Sequence, residues 1–121
     1  MEQTEKRILE SINQVFDDLD AATYGKERNN GHYLPPDASL FYHRVKRLYD
    51  LVDELVDKYQ PDYITGIDYR FIYDSQRTLL LDLAVLQERN KLEGEHLTWE
   101  LEKYLLKIQG LFSCVLSNCR N

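Results

Sequence analysis

A chain of 121 residues that is 43% apolar and 30% charged, with five glycines, three prolines and two cysteines, has the make-up of one globular domain covering 1–121. That balance excludes a disordered, collagenous or disulfide-stapled polypeptide, and the length suffices to bury about two-thirds of the unfolded surface. Fifteen Lys and Arg against 21 Asp and Glu leave a net charge of −6, which disfavours general adhesion to nucleic acid or an anionic membrane and suits a basic partner.

The charged start, Met1 to Arg7, runs straight into a helical pattern, so no secretion signal is expected there. Ile8, Ile12, Val15, Phe16, Leu19 and Ala22 recur at three- and four-residue steps and predict a first helix with one apolar stripe. Between Tyr24 and Pro36, two glycines, paired asparagines and paired prolines predict a long, mobile connection. Asp37 is placed to cap a second helix carrying Phe41, Val45, Leu48, Val52, Leu55 and Tyr59, which stops before Pro61. Its surface charge is split: His43, Arg44, Lys46 and Arg47 precede Asp50, Asp53, Glu54 and Asp57.

Pro61, Asp62 and Gly66 mark a turn, after which Ile72, Leu79, Leu80, Leu83, Val85 and Leu86 predict a third helix. Because Leu79 to Leu86 is apolar on nearly every side, this helix is expected to be the most deeply packed. The same run is far short of the ~20 apolar residues that cross a bilayer, so no membrane span is expected. Asn90 to Glu95 reads as a reversal, and Leu97, Leu101, Tyr104, Leu105, Ile108, Phe112 and Val115 stripe a fourth helix. Cys114 and Cys119 would point apart on it, which suits reduced thiols in the cytoplasm.

Four such helices without strand-like alternation predict an all-α fold, an antiparallel four-helix bundle. A single rod running through Gly94 is the competing arrangement, and it would favour a homodimer.

Four constellations could carry chemistry. The first is Arg89, Asn90 and, after five further residues, His96. This stretch resembles the catalytic signature of the HEPN superfamily of small helical bundles. The resemblance, which covers eight residues, implies a dimeric ribonuclease or toxin. His96 would then be acid or base at the ribose hydroxyl, Arg89 would hold the phosphate and Asn90 would orient the pair. The second is Glu93 with His96, which has the Glu-x-x-His spacing of di-iron bundles but no second pair, so no metal or cofactor is expected. The third is Asp82 with Thr78 and Arg89, readable as a functional acid, a buried ion pair or an exposed rim charge.

The fourth is the run from Tyr59 to Tyr73, where Asp62, Tyr63, Asp68, Tyr69 and Tyr73 mix rings with carboxylates. Tyrosine offers a broad apolar face with a polar tip, which suits protein interfaces; equally, some of these rings could close one end of the core. No glycine-rich phosphate loop or serine elbow occurs; Cys114 has no neighbouring cation or histidine to make it a thiolate, and Cys119 continues the apolar stripe of the fourth helix, so neither reads as a nucleophile. The leading expectation is therefore a non-catalytic adaptor or inhibitor, comparable in type to bacterial immunity proteins. It would bind a basic protein through Asp62, Tyr63, Asp68, Tyr69 and Tyr73.

Overall fold

The computed structural model describes residues 3–27, 33–89 and 94–119, and the fold is all-α. The helices are α1 (Gln3–Tyr24), α2 (Ala38–Tyr59), α3 (Gly66–Arg89), α4 (Gly94–Leu111) and α5 (Ser113–Cys119). The central pair is α1 with α2; α3 packs chiefly on α2, while α4 and α5 pack on α1. The contact between α3 and α4 is slight.

The first two helices bury the stripes that their periodicity specifies. Ile8, Ile12, Val15, Phe16, Leu19 and Ala22 of α1 meet Phe41, Val45, Leu48, Tyr49, Val52 and Leu55 of α2 in a continuous core. Removing this much aliphatic and aromatic surface from water is the main stabilising contribution. Asp37 starts α2 as expected, its carboxylate accepting from the Leu40 amide at 3.0 Å. At the other end Gln60 takes the left-handed conformation (φ 42°) and its amide donates to the Val56 carbonyl, so the helix is closed before Pro61.

The start of α3 is held by a reciprocal cap. The Thr65 amide donates to the Asp68 carboxylate at 3.2 Å, and the Asp68 amide donates to the Thr65 hydroxyl at 3.1 Å. Three side-chain bonds then fasten α3 to α2 at successive levels: Tyr69 to Asp53, Tyr49 to Ser75 and Gln87 to Ser39.

Three details differ from the sequence expectation, and one competing arrangement drops out. A two-residue antiparallel ladder, β1 (Lys26–Glu27) with β2 (Tyr33–Leu34), draws together the ends of the α1–α2 connection where no strand is expected. The expected mobility of that connection falls mainly on residues 28–32, outside the described residues. The competing rod through Gly94 is not formed, because Gly94 opens α4 at φ +56°, a backbone that no continuing helix adopts. The fourth helix is interrupted at Phe112, whose ring meets Tyr49 edge-on at 5.2 Å inside the core, and the short α5 packs on α1.

The third difference concerns α3, which is not the most deeply packed helix. Ile72, Leu79 and Leu83 are buried, but Ile67, Phe71, Tyr73, Leu81 and Val85 stand exposed. Apolar residues encircle this helix, and among the described residues its neighbours, chiefly α2, lie on one side of it.

Candidate functional site

The strongest concentration of rings and charge lies where the end of α2 meets the beginning of α3. The turn between them is pinned from inside by Ile64, which is buried, and by Tyr63, which is half-buried and donates to Glu5 of α1 at 3.2 Å. Burial first, and then this bond to a carboxylate, push the Tyr63 phenol far above its ordinary value. Tyr63 therefore ties the turn to α1 rather than standing free in solvent.

One helical turn and a half further on, Tyr69 donates to Asp53 of α2 at 2.9 Å. Its pKa is also raised, by burial and then by the Asp53 bond, with smaller contributions from Tyr73 and Asp57. Those contributions place Asp53, Asp57, Tyr69 and Tyr73 in one electrostatic neighbourhood. Tyr73 lies against Tyr69, ring centres 6.3 Å apart and tilted by 39°, yet 61% of it remains exposed. Beside it Arg70 and Asp74 form a surface ion pair at 3.7 Å, and Gly66, Tyr69, Arg70, Tyr73 and Asp74 line a shallow hollow of about 400 Å³. Asp50 and Asp57 are exposed on the same side of α2 as the half-buried Asp53.

Of the residues singled out in the sequence, Tyr69 and Tyr73 are thus brought together. Asp62 is exposed in the turn, and Asp68 is half-buried in the cap that begins α3. Asp53 and Asp57 were not connected with the tyrosines by sequence reasoning. The signal was present: folding back about the turn near Pro61 sets a residue eight positions before it opposite one eight positions after it.

Such an arrangement can hold a cation. A guanidinium or ammonium resting on the Tyr73 ring would have the carboxylates of Asp53 and Asp57 close at hand. It offers no activated nucleophile.

The other constellations are less complete. His96 is exposed in the first turn of α4, edge-on to Trp99 at 5.3 Å. Asn90 and the side chain of Arg89 lie outside the described residues, as does Glu93. Asp82 and Thr78 are exposed, so Asp82 is a rim charge. Among the described residues no three His, Cys, Asp or Glu side chains group as metal ligands. A smaller hollow of about 270 Å³ lies between the end of α1 and the start of α2, but its Arg44 already faces Asp18 at 3.3 Å. No helix among the described residues is long and apolar enough to cross a membrane.

No family model matches the chain, and neither a curated protein nor a solved structure is significantly similar to it.

Proposed function

We propose that this chain is a non-catalytic protein-binding module, of the adaptor or inhibitor kind, that holds a basic segment of a partner protein on the α2–α3 shoulder. The observation that supports it is the exposed Tyr73 ring resting on Tyr69, whose hydroxyl is fastened to Asp53. An aromatic platform fixed in place by its own hydrogen bond loses little freedom on binding, and nearby carboxylates supply the charge that a Lys or Arg side chain seeks. The net charge of −6 adds long-range attraction for such a partner.

In this reading Tyr73, Asp53 and Asp57 make the contacts, Asp62 extends the acidic edge, and Tyr63, Asp68 and Tyr69 hold the platform rigid. The helices α1 to α4 form an antiparallel bundle, a reading supported by the reverse order in which Tyr69, Ser75 and Gln87 meet Asp53, Tyr49 and Ser39. Cys114 and Cys119 are not bridged, which suits a reducing cytoplasmic setting.

The test is a titration of isotopically labelled protein with a short arginine-rich peptide, followed by amide shifts. Changes confined to the neighbourhood of Asp53, Asp57, Tyr69 and Tyr73, weakened by salt and lost in Tyr73→Ala, support the proposal. Scattered or absent shifts at millimolar peptide overturn it. Cleavage of RNA by the same preparation, abolished by His96→Ala, would instead support the HEPN-like ribonuclease suggested by Arg89, Asn90 and His96.

A further inference from the structure

The outward side of α3 carries a second pattern, which shares Arg70 and Asp74 with the hollow at the shoulder but neither Tyr69 nor Tyr73. Ile67, Phe71, Asp74, Thr78, Leu81 and Val85 recur at steps of four, three, four, three and four residues, a continuous stripe about 27 Å long. Four of the six are large and apolar, and they remain 71, 64, 62 and 41% exposed at Ile67, Phe71, Leu81 and Val85. Together they leave on the order of 400 Å² of apolar side chain in water, within the range of the largest patch on a typical monomer, which is often functional. Nothing else among the described elements covers this side, since α3 packs chiefly on α2 through Ile72, Leu79 and Leu83.

Two observations indicate what covers it. Along the stripe from Ile67 to Val85 the exposed charges are Arg70, Asp74, Arg77 and Asp82, two of each sign, with the exposed Glu88 beyond its end, so the stripe itself is neutral on a chain that is otherwise acidic. A basic partner gains nothing from it electrostatically, whereas an identical face meets it without net repulsion. The stripe is also complementary to itself when reversed. Laid antiparallel about its midpoint, Ile67 meets Val85, Phe71 meets Leu81, and Asp74 meets Thr78, with Arg77 close to Asp74 of the second copy. A parallel pairing in register would set Asp74 against Asp74 in the middle of the seam.

We propose that this face is covered by a second copy of the chain, in an antiparallel α3–α3 dimer with two-fold symmetry. The apolar side chains supply about half of the ~800 Å² per partner of a standard interface, and the polar residues that border the stripe add to it. Each substitution in the seam acts twice, once in each copy.

Sedimentation velocity of the full chain across a range from 1 to about 200 μM tests it. A dimer is expected, with Leu81→Asp raising its dissociation constant at least a hundredfold while far-ultraviolet circular dichroism stays unchanged, because Leu81 is exposed in the monomer. Thr78→Arg reports the alignment: opposite Asp74 it strengthens the antiparallel dimer several-fold, whereas in a parallel pair it would meet itself and weaken it. A chain that stays monomeric throughout, a dimer indifferent to Leu81→Asp, or one weakened by Thr78→Arg overturns the proposal. Because Tyr73 lies off the stripe, failure here leaves the peptide titration of the shoulder untouched.

Discussion

The bond between Tyr69 and Asp53 is the structural link on which the exposed shoulder depends, and its contribution can be measured by a double-mutant cycle. The Tyr69 hydroxyl lies 2.9 Å from a carboxylate oxygen, and both side chains are half-buried. A hydrogen bond to a charged group contributes roughly 1.5–3 kcal/mol when well shielded, and partial access of water reduces this to about 1 kcal/mol. Tyr69→Phe keeps the ring and removes the donor, so it should destabilise by about 1 kcal/mol in urea unfolding with an unchanged slope. Asp53→Asn retains an oxygen acceptor and loses the charge, and should cost about half as much. The double variant should fall short of the sum by about 0.5 kcal/mol or more. Additivity within about 0.3 kcal/mol would mean that the two groups do not act on one another in solution, and the rigid-platform argument would fail with it. The cycle also separates positioning from charge. Tyr69→Phe should change arginine-peptide affinity modestly, while Asp53→Asn removes a carboxylate from the site itself.

Phe112→Ala removes a fully buried ring that meets Tyr49 edge-on, and should cost about 3–5 kcal/mol, read as a fall in thermal midpoint. Replacing Asp37 by Ala leaves the first turn of α2 without its side-chain acceptor and should cost about 1 kcal/mol in the same assay. Tyr49, Tyr63 and Tyr69 all ionise above the ordinary tyrosine range, chiefly because burial disfavours the phenolate. The folded state then holds protons that the unfolded chain releases above pH ~10. The contribution of these three rings to stability should be constant below that pH and be lost above it, with their phenolate absorbance appearing late; Tyr63→Phe should lessen the decline.

How far the fold was legible depended on whether a helix uses one face or two. The stripes of α1 and α2 each have a single apolar side, so Ile12, Leu19, Phe41 and Leu55 could be assigned to the core directly from their spacing. The polar signals at Asp37 and Pro61 act through local backbone chemistry, and they were equally readable. In α3 the same rule misleads: Leu79 and Leu83 turn inward while Leu81 and Val85 turn outward, and nothing in the order of residues states which side has a neighbour. The break at Phe112 was hidden for the opposite reason, because Leu105, Ile108, Phe112 and Val115 keep helical spacing across it. The tyrosines of the candidate site were legible as a group. Their division into anchored (Tyr63, Tyr69) and exposed (Tyr73) members was not, since it depends on Glu5 and Asp53, which lie 58 and 16 residues away along the chain.

The two proposed surfaces on α3 can act together, because of where the helix turns each residue. At 100° per residue, Tyr73 points about 120° away from the line through Ile67 and Val85, and the inward residues Ile72, Leu79 and Leu83 occupy the remaining third. One helix would then serve three contacts at once: the core, a second copy and a basic segment. The dimer would carry two shoulders, and a partner with two basic segments would gain avidity of 10²-fold or more if its spacing matched. Leu81→Asp therefore offers a decisive separation. It should leave the affinity for a single arginine-rich peptide unchanged while removing the gain shown by a tethered pair of such peptides. Loss of single-peptide binding in this variant would mean that the shoulder is formed only in the dimer, and the independence argued from the helical geometry would be wrong.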